Sequence, residues 1–578
     1  MKTKWIVLSR NRCNYSEEAN ALGVSEVIVR IMRNRNIVER KDEEAYLNGT
    51  VNDLYDGSVM ADMVPLADKL KEKIDSAAHI RIMGDYDVDG VCSSYILLSS
   101  LKKLGANVSC VIPDRHKDGY GLNSRLIKEA KDAGVDTIIT CDNGISAIKE
   151  IEEANALGMT VLVTDHHAIP FHMEGEERIE DLPDAYAVVN PHRSDCPYPY
   201  KELCGAGVAL KAMEYLYSLY KREWDKNSDL YEVAALATNC DVMPLTGENR
   251  IIVRHGLKLM RNSSNKGLKE LIELSSISGI ELNTFHLGFV LGPCINAAGR
   301  LETADLALDL LMSTNEAEVS KLAHKLKELN DSRKSLTQKA VDRACEIAES
   351  ESYVNQMVLV IKLDDCHESI AGLVAGRLKE KYKKPTIVFT DALSSEGDRI
   401  LKGSGRSVDS YDIHFALTEV SELLLIFGGH KKAAGLSIEP DRFEELREAL
   451  NKNCKLTEDN LIETVYCEAI LNFKYVSEKL AESLKAIEPF GEENKQPLFC
   501  VDKVTIKNIK IFGADKNVFK GEADDGTGKI NVKFFGEAEA FERFIKEHNG
   551  HIKLCYSPGI NEFNGYRNLE LTVKYYDC

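Results

Sequence analysis

Short apolar runs recur between residues 79 and 190, and each is closed by a polar or glycine-containing junction. HIRIM (79–83), VSCVIP (108–113), DTIIT (136–140), TVLVT (160–164) and AYAVVN (185–190) have the length of buried strands. Helical segments separate them; the first offers Tyr95, Leu97, Leu98 and Leu101 for packing. Strands alternating with helices at this interval predict a parallel sheet with right-handed crossovers. Residues 1–75 read as helical, because EEANALGVSEVIVRIMRNRNI places apolar side chains at helical spacing. From GAGVALKAMEYLYSLY to about residue 312 the chain is mostly helical. Val319, Leu322, Leu326 and Leu329 then repeat opposite a charged face, which predicts a long amphipathic helix bridging two domains.

A second α/β unit starts at QMVLVIKL (356–363) and continues through helix SIAGLVAGRLKEKY, strand PTIVFT, strand-like LKGSGRSV and then FGGHKKAAGLSI. Beyond about residue 460 the pattern changes. VTIKNIKIFGADKNVFKGEADDGTGKINVKFFG alternates β-formers with Gly-Asp turns, which predicts a small antiparallel barrel. The expected class is α/β, divided as a helical segment 1–75, a parallel-sheet domain 76–312, a linking helix 313–350, a smaller α/β domain 351–455 and a β-barrel 460–578.

Composition changes little in this picture. A chain of 578 residues exceeds one core and calls for several domains. No run approaches the ~20 apolar residues of a membrane span. The apolar part of MKTKWIVLSRNR is too short for a secretory signal, so the expected location is the cytoplasm. The fifteen cysteines are scattered and never spaced C-x-x-C, which argues against a disulfide framework or a zinc knuckle. The net charge of −19 argues against a general nucleic-acid-coating protein, which is usually basic, but a nuclease needs only a local basic groove and global charge does not settle the question.

The chemistry lies at the strand ends. GDYDVDG carries Asp85, Asp87 and Asp89; TCDNGIS carries Asp142; TDHH carries Asp165, His166 and His167; NCDVMPL carries Asp241. Ligands of parallel sheets bind beyond the carboxyl ends of the strands. Carboxylates gathered there without a cation would cost stability, and one D-x-D alone is an ordinary turn. Carboxylate oxygens with an imidazole nitrogen suit Mn²⁺ or Mg²⁺. Two such ions clamp a phosphoryl centre, and a nearby aspartate can orient the attacking water or accept its proton. In the second unit, KGSGRS places Ser404 and Arg406 among glycines, and GGHKKAAG places His430 beside two lysines. Both fit a phosphate, although a solvated hairpin and a helix-start loop are the plainer readings. Arg115 and Tyr120 sit in a basic, aromatic loop that can meet phosphate and base, or Tyr120 can simply pin the loop. Asn296 and Arg300 fall in what reads as a tight small-residue turn or as a helix N-terminus that needs close packing. Cys240 and Cys294 read as packing residues.

These motifs, in this order and spacing, resemble the DHH phosphoesterases, and within them the bacterial single-strand-specific exonucleases. GDYDVDG, CDNGIS, TDHH, NCDVMPL, NPHRSDCPYPYKELCGAGVA, INAAGR, GSGRS and FGGHKKAAGLSI carry the likeness, and EPFGEENKQP (488–497) resembles that family's linker into an OB-like barrel. The resemblance implies a DHH domain, a DHH-associated phosphate-binding domain and 5′→3′ digestion of single-stranded DNA to 5′-mononucleotides in recombination and repair. Asp87, Asp89, Asp142, His166 and Asp241 would hold two Mn²⁺ or Mg²⁺ ions. Asp85 would complete the acidic loop, and His167 would sit beside the scissile phosphate. Arg115, Asn296, Arg300, Ser404, Arg406 and His430 would meet phosphates, and Tyr120 a nucleotide. A helicase and a single-strand-binding protein are the implied partners. Cys294 stands where the family often has arginine. Two other readings remain at this stage: a phosphodiesterase for cyclic dinucleotides or very short oligoribonucleotides, and a scaffold without catalysis.

Overall fold

The computed structural model describes residues 3–115, 117–394, 397–513, 515–548, 551–563 and 566–578. Its contacts divide into two units. The first holds residues up to Gly292, Leu308–Val319 and Thr464–Cys578; the second holds Pro293–Ala307 and Ser320–Glu463.

The predicted strands of the first unit form at Ile80–Met83, Val108–Val111, Thr137–Cys141, Thr160–Thr164 and Ala187–Val189. All their pairings are parallel, with Val108–Val111 and Thr137–Cys141 flanking Ile80–Met83. Ile80, Ile82, Ile138, Ile139, Val161, Leu162 and Val163 are wholly buried, so both faces of the sheet are covered. Helices Val88–Leu104, Ser124–Asp132 and Ile148–Ala156 make the crossovers. Asn123 starts the second of these by accepting a hydrogen bond from Leu126 N–H. An exposed hairpin, Phe171–Glu174 with Glu177–Glu180, interrupts the pattern and has no counterpart in the sequence reading.

The helical reading of residues 1–75 needs one correction. Strand Thr3–Val7 precedes the helices and pairs with Glu463–Cys467, far along the chain. The helices themselves, Tyr15–Leu22 and Glu26–Asn34, are split at Gly23, whose φ of 69° is the left-handed cap that glycine tolerates. Ile28, Ile31 and Met32 enter one core with Phe499, Phe519 and Phe541 of the barrel. Head and tail of the chain therefore share a core.

The barrel also departs from expectation. Strand Phe499–Phe512 pairs with both Val518–Asp524 and Ile552–Phe563, and the remaining pairings return the sheet to itself as a ring. Lys529–Phe535 and Tyr566–Asp577 pair in parallel, so the barrel is mixed rather than antiparallel. Helix Ala538–Glu547 supplies the long connection that this topology requires.

The second unit contains a five-stranded sheet in the order Ile426–His430, Ala433–Ile438, Arg399–Arg406, Thr386–Leu393, Leu359–Lys362. Only the last pair is parallel. Phe389, Leu401 and Leu436 fill one face, and helix Glu368–Tyr382 covers the other with Val374 and Leu378. The amphipathic helix runs over Glu316–Ala348, with Val319, Leu326 and Leu329 buried.

Arg250 ties the segments of the first unit together. It is 2 % exposed, and its guanidinium donates to the carbonyls of Tyr46 at 3.0 Å, Ile487 at 2.9 Å and Ala486 at 3.2 Å. Burial pushes its pKa down to about 10. Replacing it removes a charged donor from three carbonyls, of which that of Ile487 still accepts from Asn494 Nδ2 at 3.0 Å. Arg250→Ala is expected to destabilise the first unit by about 3 kcal/mol in urea unfolding; a midpoint equal to that of the unmodified chain contradicts this role.

Candidate metal centre

The parallel sheet changes its direction of growth after its first strand, because Val108–Val111 adds on one side of Ile80–Met83 and Thr137–Cys141 on the other. Loops leaving two such strands diverge and open a crevice beyond their carboxyl ends. Met83 lies opposite Thr140, and Cys141 opposite Thr164. The register therefore delivers Asp85, Asp142 and Asp165 to one edge.

Local structure then aims the carboxylates. Asp87 caps helix Val88–Leu104 by accepting from Gly90 N–H at 3.0 Å, and Asp89 follows in its first turn. The turn closes only on glycine, since a Cβ at Gly90 would lie 2.4 Å from the Asp85 carbonyl oxygen. Asp89 reaches a second helix, Gly205–Leu219. Its Oδ2 accepts from Gly205 N–H at 2.6 Å and its Oδ1 from Ala206 N–H at 2.8 Å. A helix N-terminus presents free N–H groups to an acceptor, so these amides fix the position of the Asp89 carboxylate. Asp142 has a φ of 60°, uncommon for a residue with a Cβ. Asp241 ends helix Asp229–Cys240, and Val242 after it has a φ of 58°. That conformation costs a β-branched residue about 1–3 kcal/mol, and such strain collects at functional sites.

The donors converge. His166 Nε2 lies 3.0 Å from Asp142 Oδ1, 3.5 Å from Asp89 Oδ2 and 3.6 Å from Asp241 Oδ2. Three donor sets each fall within 4.8 Å: Asp85, Asp87 and Asp142; Asp89, His166 and Asp241; Asp142, His166 and His167. Asp142 and His166 each serve two sets, which is how two adjacent cation positions share ligands. Asp165 belongs to none of the sets. It accepts from the N–H groups of Ile145, His166 and His167 and from His167 Nδ1 at 2.8 Å, so it shapes the turn and orients the imidazole.

Electrostatics test the fit to a cation. Burial first, then Asp87, pushes Asp85 up to about 8. Burial first, then Asp89, pushes Asp241 up to about 8. Asp87 and Asp142 are raised for the same two reasons, burial and neighbouring carboxylates. Burial lowers His166, keeping its imidazole neutral and able to ligate. Burial also opposes a charge on His167, but its hydrogen bond to Asp165 raises it to about 9. Asp85 Oδ1 is buried without a hydrogen-bond partner. Crowded, desolvated carboxylates with an orphaned oxygen are the environment that Mn²⁺ or Mg²⁺ relieves. The donor set therefore fits these ions.

The remaining predicted residues fall in two places. Tyr120 belongs to the metal centre: its hydroxyl donates to the Asp142 carbonyl at 2.8 Å, and its ring stands edge-on to His167. It does pin its loop, yet it is 51 % exposed. Arg115 lies over the ring of Tyr86 at 4.7 Å and lowers Asp85. In the second unit, Arg300 donates to the Ser369 carbonyl at 2.6 Å, and Arg406 donates to Ser404 Oγ at 3.3 Å. A Cβ on Gly372 would lie 2.8 Å from Ser404 Oγ and 2.9 Å from Arg406 Nη2, so these three cluster at the start of helix Glu368–Tyr382. Arg406 and His430 both sit opposite Ala433, which puts them in one row of the sheet. His430 ends a strand rather than starting a helix. Asn296 and Arg300 lie inside helix Gly292–Leu301, so of the two readings of this segment the close-packed helix holds and the turn does not. Cys294 is buried and Cys240 donates to the Leu287 carbonyl, as packing residues would.

Two features escaped the sequence reading. Tyr86, inside the acidic loop, packs against both Arg115 and Tyr120. The amides of Gly205 and Ala206 hold Asp89, and the small residues of LCGAGVA were their visible trace.

Residues 79–238 match the DHH family, N-terminal domain; residues 355–456 match the DHHA1 domain; and residues 467–575 match the RecJ OB domain. The chain is 32 % identical over 575 residues to the single-stranded-DNA-specific exonuclease RecJ of Bacillus subtilis, covering 99 % of this chain and 70 % of that protein. It is 33 % identical to RecJ of Salmonella typhimurium, covering 86 % of each. The crystal structure of RecJ in complex with Mn²⁺ from Thermus thermophilus superposes with a TM-score of 0.82 at 25 % identity, covering all of this chain and 80 % of that one.

The geometry makes Gly205 a sensitive position. A Cβ there would meet Asp142 Cβ at 2.7 Å and Asp89 Oδ2 at 3.0 Å. Gly205→Ala is expected to weaken Mn²⁺ binding, read by calorimetry, by about tenfold or more (roughly 1.4 kcal/mol), with the helical circular dichroism retained. Unaltered affinity contradicts the packing of Asp89 and Asp142 against this helix start.

Proposed function

The chain belongs to the family of RecJ single-stranded-DNA-specific exonucleases, and we propose that it hydrolyses single-stranded DNA from the 5′ end, releasing 5′-mononucleotides in recombination and repair. The observation that carries this reading is the cluster of donors shared through Asp142 and His166 at the switch point of the sheet.

In this reading Asp87, Asp89, Asp142, His166 and Asp241 hold two Mn²⁺ or Mg²⁺ ions. When bound, the cations neutralise the phosphodiester and make water more acidic at neutral pH. Everything else falls to the chain's own residues. Asp85, whose Oδ1 has no other partner, orients the attacking water and accepts its proton. His167, held by Asp165 and charged, stands beside the scissile phosphate and stabilises the negative charge that develops there. Tyr120 fixes the Asp142 backbone and presents its ring to a nucleotide. Arg115, Asn296, Arg300, Ser404, Arg406 and His430 bind phosphates, with Ser404 and Arg406 taking the terminal 5′-phosphate.

Three of the five sequence segments then divide the work. The DHH domain cuts, the DHHA1 domain holds the 5′ end, and the OB-like barrel holds the strand beyond reach of the cutting site. Access to single strands in a cell implies a helicase and a single-strand-binding protein as partners, and the cytoplasm as the place of action. Among the described residues no helix is long and apolar enough to cross a membrane.

End-labelled strands test this reading. With Mn²⁺ the enzyme is expected to release labelled mononucleotide at once from a 5′-labelled strand and to shorten a 3′-labelled strand progressively. Arg406→Ala is expected to raise KM and reduce the preference for a 5′-phosphate. Digestion from the 3′ end contradicts the polarity, attack on cyclic dinucleotides alone contradicts the polymer substrate, and an unchanged 5′-phosphate preference moves that pocket elsewhere.

A further inference from the structure

Phe285 and Phe289 are 59 % and 69 % exposed, and their rings stack with centroids 5.1 Å apart at 22°. Aromatic side chains four residues apart on a helical segment ordinarily face the core. Here Leu287 and Leu291 are the buried pair, which leaves both rings outside. The segment Leu287–Leu291 winds as a π-helix, a rare form that recurs at functional sites. Its inner side is fastened to the residues that lead into Asp241. Asn239 Nδ2 donates to the Thr284 carbonyl at 3.1 Å, and Cys240 Sγ to the Leu287 carbonyl at 3.5 Å. A Cβ at Gly292 would lie 2.3 Å from Cys240 Sγ, so the contact leaves no slack. The aromatic pair is thus rigidly coupled to the turn that carries one of the proposed metal ligands.

A second observation concerns the adjoining surface. Phe285 also lines an open groove of about 520 Å³ that includes Arg254, Lys258, Arg261 and Lys485. Arg261 is paired with Glu281 and Lys485 with Glu482 at 3.3 Å, which leaves Arg254 and Lys258 against the one remaining carboxylate, Glu488. Exposed aromatic faces beside a cationic groove are the combination that binds single strands without reading sequence. Every base has a face to stack, and every linkage has a phosphate to neutralise.

We propose that the Phe285–Phe289 pair is a base-stacking step for a single strand near the metal centre, and that the adjoining basic groove carries the strand's phosphates. This rests on the exonuclease reading and names a contact outside the metal and 5′-phosphate positions. Bases of the strand lie against the two rings, and the π-turn holds the rings in register with Asp241.

The test uses the full chain and a 5′-phosphorylated single strand of about 20 nucleotides, longer than one OB fold covers. 2-Aminopurine is placed at successive positions, and binding is followed by anisotropy in EDTA. Unmodified protein is expected to quench the probe at one or two adjacent positions. Phe285→Ala/Phe289→Ala is expected to abolish that quenching and weaken binding by about tenfold. Phe285→Trp/Phe289→Trp is expected to keep both, which separates stacking from a folding defect. Strand binding and quenching unaltered in the alanine pair, with strand digestion intact in the unmodified protein, overturn the proposal and leave the rings to a protein partner such as an acidic peptide. An unmodified protein that neither binds nor digests the strand overturns the exonuclease reading instead, and this proposal with it.

Discussion

The structure depends on confining several negative charges where water cannot screen them. Asp85, Asp89 and Asp142 are each at most 3 % exposed and face one another across a few ångströms. Burial and neighbouring carboxylates disfavour the ionised forms of Asp85 and Asp142, and protons or cations relieve the conflict. Much of the surrounding architecture serves to impose it. Parallel register brings two strand ends level, the switch in strand order opens the crevice, and helix amides hold the Asp89 carboxylate in place. Glycines at positions 90 and 205 admit the close approach that any side chain would block. A site of this kind gives up stability to keep its ligands poised for metal.

How far this was legible in the sequence follows from the range of each interaction. The strand-end acids could be read because a buried strand has a local signature, and Asp85, Asp142 and Asp165 each follow one closely. Their convergence was an inference from parallel topology, which the register bears out. The distinction between Asp165 and the other acids was not visible. It depends on three backbone amides pointing at one carboxylate, and no residue pattern records that. Strand Thr3–Val7 was missed for a related reason: its partner lies some four hundred and fifty residues away, so local propensity carries no trace of the pairing. In the barrel, alternation predicted strands correctly, but it contains no information on direction, and the parallel pair Lys529–Phe535 with Tyr566–Asp577 went unread. Around Asn296 and Arg300, glycine, alanine and proline suit a turn and a close-packed helix start alike, and the fold takes the helix.

The chain order is not the spatial order within the first unit. Ile28 and Met32 from the head share a core with Phe499 and Phe541 from the tail, and Arg250 from the middle binds carbonyls at Tyr46 and Ile487. Barrel, head helices and helix Gly247–Leu259 are thereby joined through packing and buried hydrogen bonds. In the proposed function, with the strand held at the barrel, such packing keeps the holding and cutting positions at a constant separation. The stacked phenylalanines fit the same logic, since they are fastened to the turn that presents Asp241.

The most direct measurement counts the cations. Electron paramagnetic resonance of the purified chain titrated with Mn²⁺ is expected to show two bound ions per chain, spin-coupled as ions about 3.5–4 Å apart are. The double variant Asp89→Asn/Asp142→Asn is expected to bind neither at the same concentration. Uncoupled or absent Mn²⁺ in the unmodified chain, or two ions retained by the variant, would contradict the account.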